Sequence, residues 1–265
     1  MFNVSCIQLK SNNSIKDNLI ETKKLILKAI KQKTDFILTP ETSSIFSLDK
    51  KQLLKTCTSM QKDNYLKEIR KLASHYKKWI LVGSLIIKIK KNKLVNRSVL
   101  IDTKGNIKSY YDKIHMYDVI LSKKEKYFES KIFLPGKSIK SFKLPWGKIG
   151  LSICYDIRFP SLYRKLSKSG CLFLSVPSAF TETTGKKHWH SLLKARAIEN
   201  FCYIFAPAQG GTHYNGRKTF GHSMIVSPDG KILKELKKSE GVLTVSIDPK
   251  LPKKLRSIIP SLKSN

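Results

Sequence analysis

Three side chains in this sequence are of the types that amide chemistry needs, and each stands where a run of strand-forming residues stops. Cys154 follows the apolar segment Lys148 to Ile153, and the polar turn behind it, with Tyr155, Asp156, Arg158 and Pro160, cannot continue a strand. Glu41 follows Pro40, which closes the short run TDFILT from Thr34 to Thr39. Lys113 ends SYYDK, Ser109 to Lys113, and leads into IHMYDV. A thiol attacking a carbonyl carbon requires a base to take its proton and a cation or N–H donor to hold the oxyanion that forms. A carboxylate and an ammonium group supply those two functions. Taken singly, each residue has an ordinary alternative: a core thiol, a loop carboxylate, a solvated lysine. A helix beginning near Pro160 is expected to favour the thiolate through the positive end of its dipole. Burial is expected to raise the pKa of Glu41 towards neutrality while Lys113 stays charged.

The joint pattern is more specific than its parts. Glu after a Pro-terminated strand, Lys before an H-x-x-D turn, and Cys within G-x-x-I-C-Y-D-x-R-F-P resemble, in that order, the nitrilase (carbon-nitrogen hydrolase) superfamily. The resemblance runs from FNVSCIQL at the start to GHSMIVSPDGKIL and LPKKLRSIIPSL near the end. PSAFTETTGKKHWHSLLKARAIEN and YIFAPAQGGTHYNGRKTFGHSMIV resemble the branch called deaminated glutathione amidases, with the omega-amidases as neighbours.

This resemblance implies that Glu41 is a general base, Lys113 the stabiliser of the tetrahedral intermediate and Cys154 the nucleophile. It implies a second glutamate, Glu129 in ESKIFLPG, that positions Lys113 and the leaving amine. The reaction implied is hydrolysis of a small primary amide through a thioester, without a cofactor, in a subunit that pairs as a homodimer. Around the thiol, the backbone N–H of Tyr155 is a candidate oxyanion donor. Arg158 either clamps a substrate carboxylate or fixes its own turn through Asp156. Phe180, Thr184 and His188 follow a strand end and are expected to line the same cleft. A carboxylate-bearing amide such as deaminated glutathione suits an arginine-containing pocket. An omega-amidase, a nitrile or carbamoyl hydrolase, and an inactive polyanion-binding protein remain as alternatives. Two positions depart from the branch pattern: Ser161 where R-F-P-E is usual, and His190 where H-W-E is usual, which removes a carboxylate expected near the cleft.

The elements that must hold these residues read as a mixture of strands and helices. Strands are predicted at 2 to 9, 35 to 39, 79 to 89, 94 to 101, 107 to 112, 148 to 153, 171 to 176, 202 to 208, 221 to 227, 231 to 236 and 242 to 247. Helices are predicted at 14 to 33, 64 to 76, 160 to 169 and 187 to 200. This order suits two sheets packed face to face with helices outside. The family resemblance names the fold class: α/β, a four-layer α-β-β-α sandwich in a single domain. The core is expected over about residues 2 to 248, with a tail from 249 to 265.

Composition bounds the remaining function classes. At 265 residues and 41% hydrophobic, the chain can bury one substantial core. The formal net charge of +32 would ordinarily suggest a nucleic-acid or membrane partner. Only seven of the 51 basic residues are arginines, however, leaving 51 − 7 = 44 lysines spread over the whole chain. Specific nucleic-acid readers depend on the bidentate fork of Arg, so a solvated lysine coat is expected and a dedicated nucleic-acid partner is not. No run approaches the roughly 20 apolar residues of a membrane span, and the alternating N-terminus does not resemble a signal peptide. Five cysteines without a CxxC pair point to core thiols and a reducing, cytoplasmic setting. His188 and His190 lie two residues apart on a predicted helix with no neighbouring Cys or carboxylate cluster, so no metal site is expected.

Overall fold

The computed structural model describes residues 1–123 and 125–263. The chain enters as β1 (Phe2–Gln8), crosses through α1 (Ile15–Lys31) and returns as β2 (Phe36–Leu38). Helices α2 (Lys50–Thr56) and α3 (Asn64–Tyr76) lead to the long strand β3 (Trp79–Lys90), which is followed by β4 (Lys93–Ile101) and β5 (Ile107–Asp112). A small hairpin, β6 (Asp118–Ile120) and β7 (Lys126–Phe128), precedes the second sheet. That sheet begins with β8 (Lys140–Leu144), β9 (Gly147–Leu151), β10 (Cys171–Ser175) and β11 (Tyr203–Ala206), with α4 (Pro160–Lys168) and α5 (Glu182–Asn200) connecting the last three. After the hairpin β12 (Gly210–Thr212) and β13 (Lys218–Phe220) come β14 (Met224–Val226), β15 (Ile232–Glu235), β16 (Gly241–Ile247) and α6 (Leu251–Ile258).

The two main sheets each have six strands, in the orders β16-β1-β2-β3-β4-β5 and β15-β14-β11-β10-β9-β8. Side-chain alternation with period two creates the layers. Phe36 and Leu38 of β2 and Leu81 of β3 belong to the core shared with Ile149, Leu151, Phe173 and Phe205 of the opposite sheet. Ile37, Ile80 and Val82, one residue out of phase, pack instead with Leu25, Ile26 and Ala29 of α1 and with Leu66, Ile69 and Ala73 of α3. The outer side of the second sheet is covered by α4 and α5 through Leu162, Leu166, Trp189, Leu193 and Ala197. The architecture is therefore the expected four-layer α-β-β-α sandwich. Burial of each such large apolar side chain contributes about 2 kcal/mol.

Most predicted elements recur within two or three residues of their expected ends. The clearest difference is α5, which begins at Glu182 and not at 187. Its N-cap is Thr181, whose hydroxyl accepts from Thr184 N, and Gly185 in its first turn lies directly against Phe220. Helices α2 and α6, the hairpins β6-β7 and β12-β13, and strand β8 had no counterpart in the sequence-based prediction. Beyond residue 248 the chain continues into α6, where Arg256 Nη2 donates to the carbonyls of Cys171 and Asn200.

What positions the site is the close crossing of strand ends. β2 and β3 run in parallel, and Thr39 N donates to Leu81 O and Ser84 N to Pro40 O, so the segment carrying Glu41 is laid over β3 at Gly83. A Cβ at Gly83 would lie 1.9 Å from Thr39 O, 2.5 Å from Pro40 O and 2.6 Å from Pro177 Cβ. Only glycine lets the Glu41 segment and the β10 exit approach this closely. Gly83→Ala is expected to lower the thermal midpoint by about 5 °C, because the rigid backbone on one side and a proline ring on the other leave no room for a methyl group. An unchanged midpoint in a melting experiment would show that the crossing has slack.

Candidate active site

Cys154, Glu41 and Lys113 leave their sheets at β9, β2 and β5, and the fold brings all three to one small cavity. Cys154 sits in a short 3-10 turn directly after Ile153, with φ of +47°, in the left-handed region that a side chain with a Cβ seldom occupies. Thr42, next to Glu41, has φ of +52°. Both turns are fastened by buried hydrogen bonds. Cys154 N donates to Pro177 O at 2.9 Å, and Thr42 N donates to Ser84 Oγ at 2.7 Å. Gln209 Nε2 donates to the Glu41 carbonyl at 2.9 Å.

The charged groups are arranged about Lys113, which is 1% exposed. Its Nζ donates to Glu41 Oε1 at 3.0 Å and to Glu129 Oε2 at 2.7 Å. Glu41 Oε1 also accepts from Asn96 Nδ2 at 2.9 Å, and Oε2 accepts from Ala179 N at 2.8 Å. Glu129 Oε2 accepts in addition from Tyr117 N at 2.8 Å, which fixes the second carboxylate to the segment after Lys113. Asp156, two residues past the thiol, ties the Cys154 turn to the lysine segment. Its Oδ2 accepts from Tyr111 Oη and Ile153 N, both at 2.8 Å, and its Oδ1 accepts from His115 N at 3.1 Å and lies 2.6 Å from His115 Nδ1.

The electrostatics follow from burial and from this pairing. Burial pushes the Cys154 thiol up, the Glu41 charge pushes it further, and the opposing effect of Lys113 does not cancel them, so the thiol is held well above its ordinary range. Burial would likewise raise Glu41, but the Lys113 charge, hydrogen bonds from Cys154 and Lys113, and the Arg217 charge together hold it below the ordinary 4.5. Burial acts to lower Lys113, and Glu129 and Glu41 reverse that and raise it. The resting site thus holds a neutral thiol, a carboxylate and an ammonium group. Two expectations are corrected here. The helix after Pro160 does not make the resting thiol acidic, and Glu41 is not raised by burial, because its cationic partners outweigh its desolvation.

The other predicted residues divide. Tyr155, Phe180 and Thr184 line the cavity, and the Tyr155 N–H has no acceptor among the described residues. Arg158 and His188 do not line it. Arg158 Nη2 lies 3.2 Å from His188 Nδ1, with its guanidinium 5.4 Å from the Phe180 ring centroid. Nor does Arg158 hold Asp156, whose oxygens are taken by Tyr111, His115 and Ile153. His190 does not line the cavity, and its Nε2 lies 2.9 Å from Glu235 Oε1.

The arginine that does line the cavity is Arg217, which the sequence reading passed over. It comes from the β12-β13 hairpin, donates from Nη2 to Ala179 O at 3.1 Å and lies between the rings of Phe46 and Tyr127, 4.9 and 4.7 Å from their centroids. Its Nε is buried with no partner among the described residues. Arg217 also borders an adjoining cavity of about 300 Å³ with Phe46, Ser47 and Phe133, and an outer one with Glu125, Tyr127 and Asn215. Tyr117 and Thr181 complete the inner wall. A signal for Arg217 was present in the scarcity of arginine, seven against 44 lysines, within a segment already singled out by its resemblance.

Residues 3–256 match the family described as carbon-nitrogen hydrolase. A deaminated glutathione amidase of Yersinia enterocolitica is 37% identical over 267 residues, covering 99% of this chain and 92% of that protein. One from Synechocystis is 36% identical, covering 98% of this chain and 96% of that protein. Among solved structures, the nitrilase and fragile histidine triad fusion protein of Caenorhabditis elegans superposes with a TM-score of 0.93 at 33% identity, covering all of this chain and 65% of that one. Saccharomyces cerevisiae Nit3 superposes with a TM-score of 0.87 at 25% identity, covering 98% of this chain and 94% of that one. With a sandwich of the same layers and a family match across nearly its whole length, the chain belongs to the carbon-nitrogen hydrolase family.

Proposed function

We propose that this carbon-nitrogen hydrolase is a thiol amidase acting on a small primary amide that carries a carboxylate, of the kind represented by deaminated glutathione. The observation that carries the reading is the Glu41 carboxylate held between the Lys113 ammonium group and the Cys154 thiol in one cavity. Cys154 Sγ attacks the amide carbon as Glu41 takes its proton. Because the resting thiol lies above its ordinary range and Glu41 below, transfer before attack is uphill, and proton removal is coupled to S–C bond formation. The negative charge that develops on the carbonyl oxygen is held by Lys113 and the Tyr155 N–H. Collapse of the intermediate breaks the C–N bond, and Glu41 returns the proton to the leaving nitrogen, which departs as ammonia. Water, deprotonated by Glu41, then attacks the thioester, and the acid leaves with Cys154 restored as a thiol. Glu129, which also lines the cavity, holds Lys113 in place throughout and faces the leaving amine.

Arg217 supports the carboxylate-bearing substrate. It is the guanidinium at the cavity, its Nε awaits an acceptor, and it stands where the inner cavity opens into the adjoining one. A substrate with its amide at Cys154 and its carboxylate at Arg217 spans that junction. The names of relatives at 36–37% identity point the same way. Homodimerisation and a cytoplasmic location belong to the same proposal. Five free, buried cysteines support a reducing compartment.

Ammonia release from a panel of amides with and without a distal carboxylate tests this reading. Turnover is expected for the carboxylate-bearing members, with none in Cys154→Ala. Arg217→Ala is expected to raise KM for those members by roughly 10- to 100-fold, the worth of a charge-assisted hydrogen bond, while changing neutral amides far less. Equal losses on both kinds of amide would remove the assignment of Arg217. The pH profile gives an independent check. Only ionised Glu41 can accept the thiol proton, and its depressed pKa moves the acid limb down, so kcat/KM is expected to be level between about pH 6 and 8 and to fall only below the ordinary carboxylate value of 4.5. An acid limb near neutrality in an activity titration would contradict it.

A further inference from the structure

On the far side of α5 from Arg158, three groups from separate parts of the chain converge. His190 Nε2, from α5, lies 2.9 Å from Glu235 Oε1. His222 Nδ1, from the turn before β14, lies 2.5 Å from the same oxygen. Their donor atoms all lie within 4.8 Å of one another, and all three side chains are partly buried. The sequence around His190 contains no carboxylate to complete such a set. The fold supplies one from β15, which is the edge strand of the second sheet.

The cluster is built and not incidental. His222 has φ of +55°, a left-handed conformation unusual for a residue with a Cβ, and it follows Gly221 at +71°. Its backbone is held on both sides, with N donating to Lys237 O at 3.0 Å and O accepting from Trp189 Nε1 at 2.9 Å. Its ring stacks on Phe220, with centroids 4.2 Å apart. Burial acts to raise Glu235, but hydrogen bonds and charge from His222 and His190 outweigh it and keep the carboxylate ionised. Two imidazoles fixed against one ionised carboxylate form the donor set that divalent ions of borderline softness prefer, with one position left for water.

We propose that His190, His222 and Glu235 form a binding site for one divalent transition-metal ion of the zinc class, which fastens α5 to the edge strand β15. Each histidine nitrogen is closer to the Glu235 oxygen, at 2.9 and 2.5 Å, than tetrahedral ligands about one ion, which stand roughly 3.4 Å apart at metal–ligand distances of about 2.1 Å. Binding therefore moves each imidazole away from that oxygen by up to about 1 Å as the ion replaces the two hydrogen bonds. The charge of the chain opposes cation binding, but beyond about 8 Å it is screened at physiological salt. The site lies behind Trp189 and Phe220 and contributes no group to the reaction at Cys154.

The test uses the full chain carrying Cys154→Ala, so that the cavity thiol cannot compete for metal, after treatment with a chelator and dialysis. Calorimetric titration with zinc chloride at physiological salt is expected to give one site per chain, with a dissociation constant of about a micromolar or below. Saturating zinc is expected to raise the thermal midpoint by about 5 °C. Glu235→Gln and His190→Gln, both at partly exposed positions that can fold without metal, are each expected to weaken binding at least roughly tenfold and to abolish the midpoint shift. Cobalt in place of zinc should show the visible absorption of a tetrahedral nitrogen and oxygen site in the parent protein and not in either variant. No saturable binding up to about 1 mM, or binding that survives both substitutions, would overturn the proposal and leave the three residues as a hydrogen-bonded triad.

Discussion

A buried ammonium group is the constraint on which the rest of this structure depends. Lys113 lies inside the protein, where an unpaired charge would be far too costly to keep, and it is retained because two carboxylates meet it. Those carboxylates come from Glu41 at the end of β2 and from Glu129 after the β6-β7 hairpin, so a single cation fixes three segments distant in sequence. The pairing also sets the chemistry. The same charge that makes Lys113 permanent depresses Glu41, and an ionised Glu41 in turn keeps the thiol protonated until a substrate arrives. Removing one partner would leave an uncompensated charge and disturb all three functions together.

Such a cluster needs rigid supports, and they come from strand ends. Asp156 binds the Cys154 turn to Tyr111 and His115 on either side of Lys113, so the thiol and the ammonium group share one support. Gly83 lets the Glu41 segment cross β3 close to Pro177, which in turn accepts the Cys154 N–H. Strained backbone at Cys154 and beside Glu41 persists because these bonds over-determine it. The sheets contribute precision to residues that sit just beyond them.

How much of this was legible in the sequence depended on how local the determining physics is. The three strand exits announce themselves: Pro40 stops one run, a polar turn stops another, and alternation ends at Lys113. The helices α1 and α3 carry apolar faces and polar caps at Ser14 and Asp63, and both were predicted close to their observed positions. The first turn of α5 was not, because ETTG contains two β-branched residues and a glycine, a poor helical sequence. Tertiary packing overrides that preference, since Gly185 is required beneath Phe220 and Thr181 caps the helix. Short elements such as α2, β8 and the two hairpins have too few residues to establish a period. The ionisation of Glu41 was misjudged for a related reason. Burial can be inferred from an apolar neighbourhood, whereas the geometry of its cationic partners cannot.

The arginines show the same limit at the level of a single side chain. Arg158 is four residues from the thiol, and along an extended chain that proximity would place it in the cleft. The 3-10 turn from Cys154 to Arg158 intervenes, and it carries the guanidinium to His188 and the Phe180 ring. Arg217 is 63 residues away by number, 217 − 154, yet the β12-β13 hairpin folds it between Phe46 and Tyr127, where aromatic faces compensate its charge and aim it at the cavity. Its neighbour His213 is held in the same hairpin by Ser11 and Thr219 and stacks on Phe46 at 3.8 Å, so the wall that presents Arg217 is rigid. Nearness along the chain decides which residues share a turn. It is the pairing of buried charges and rings between turns that decides which residues share a site.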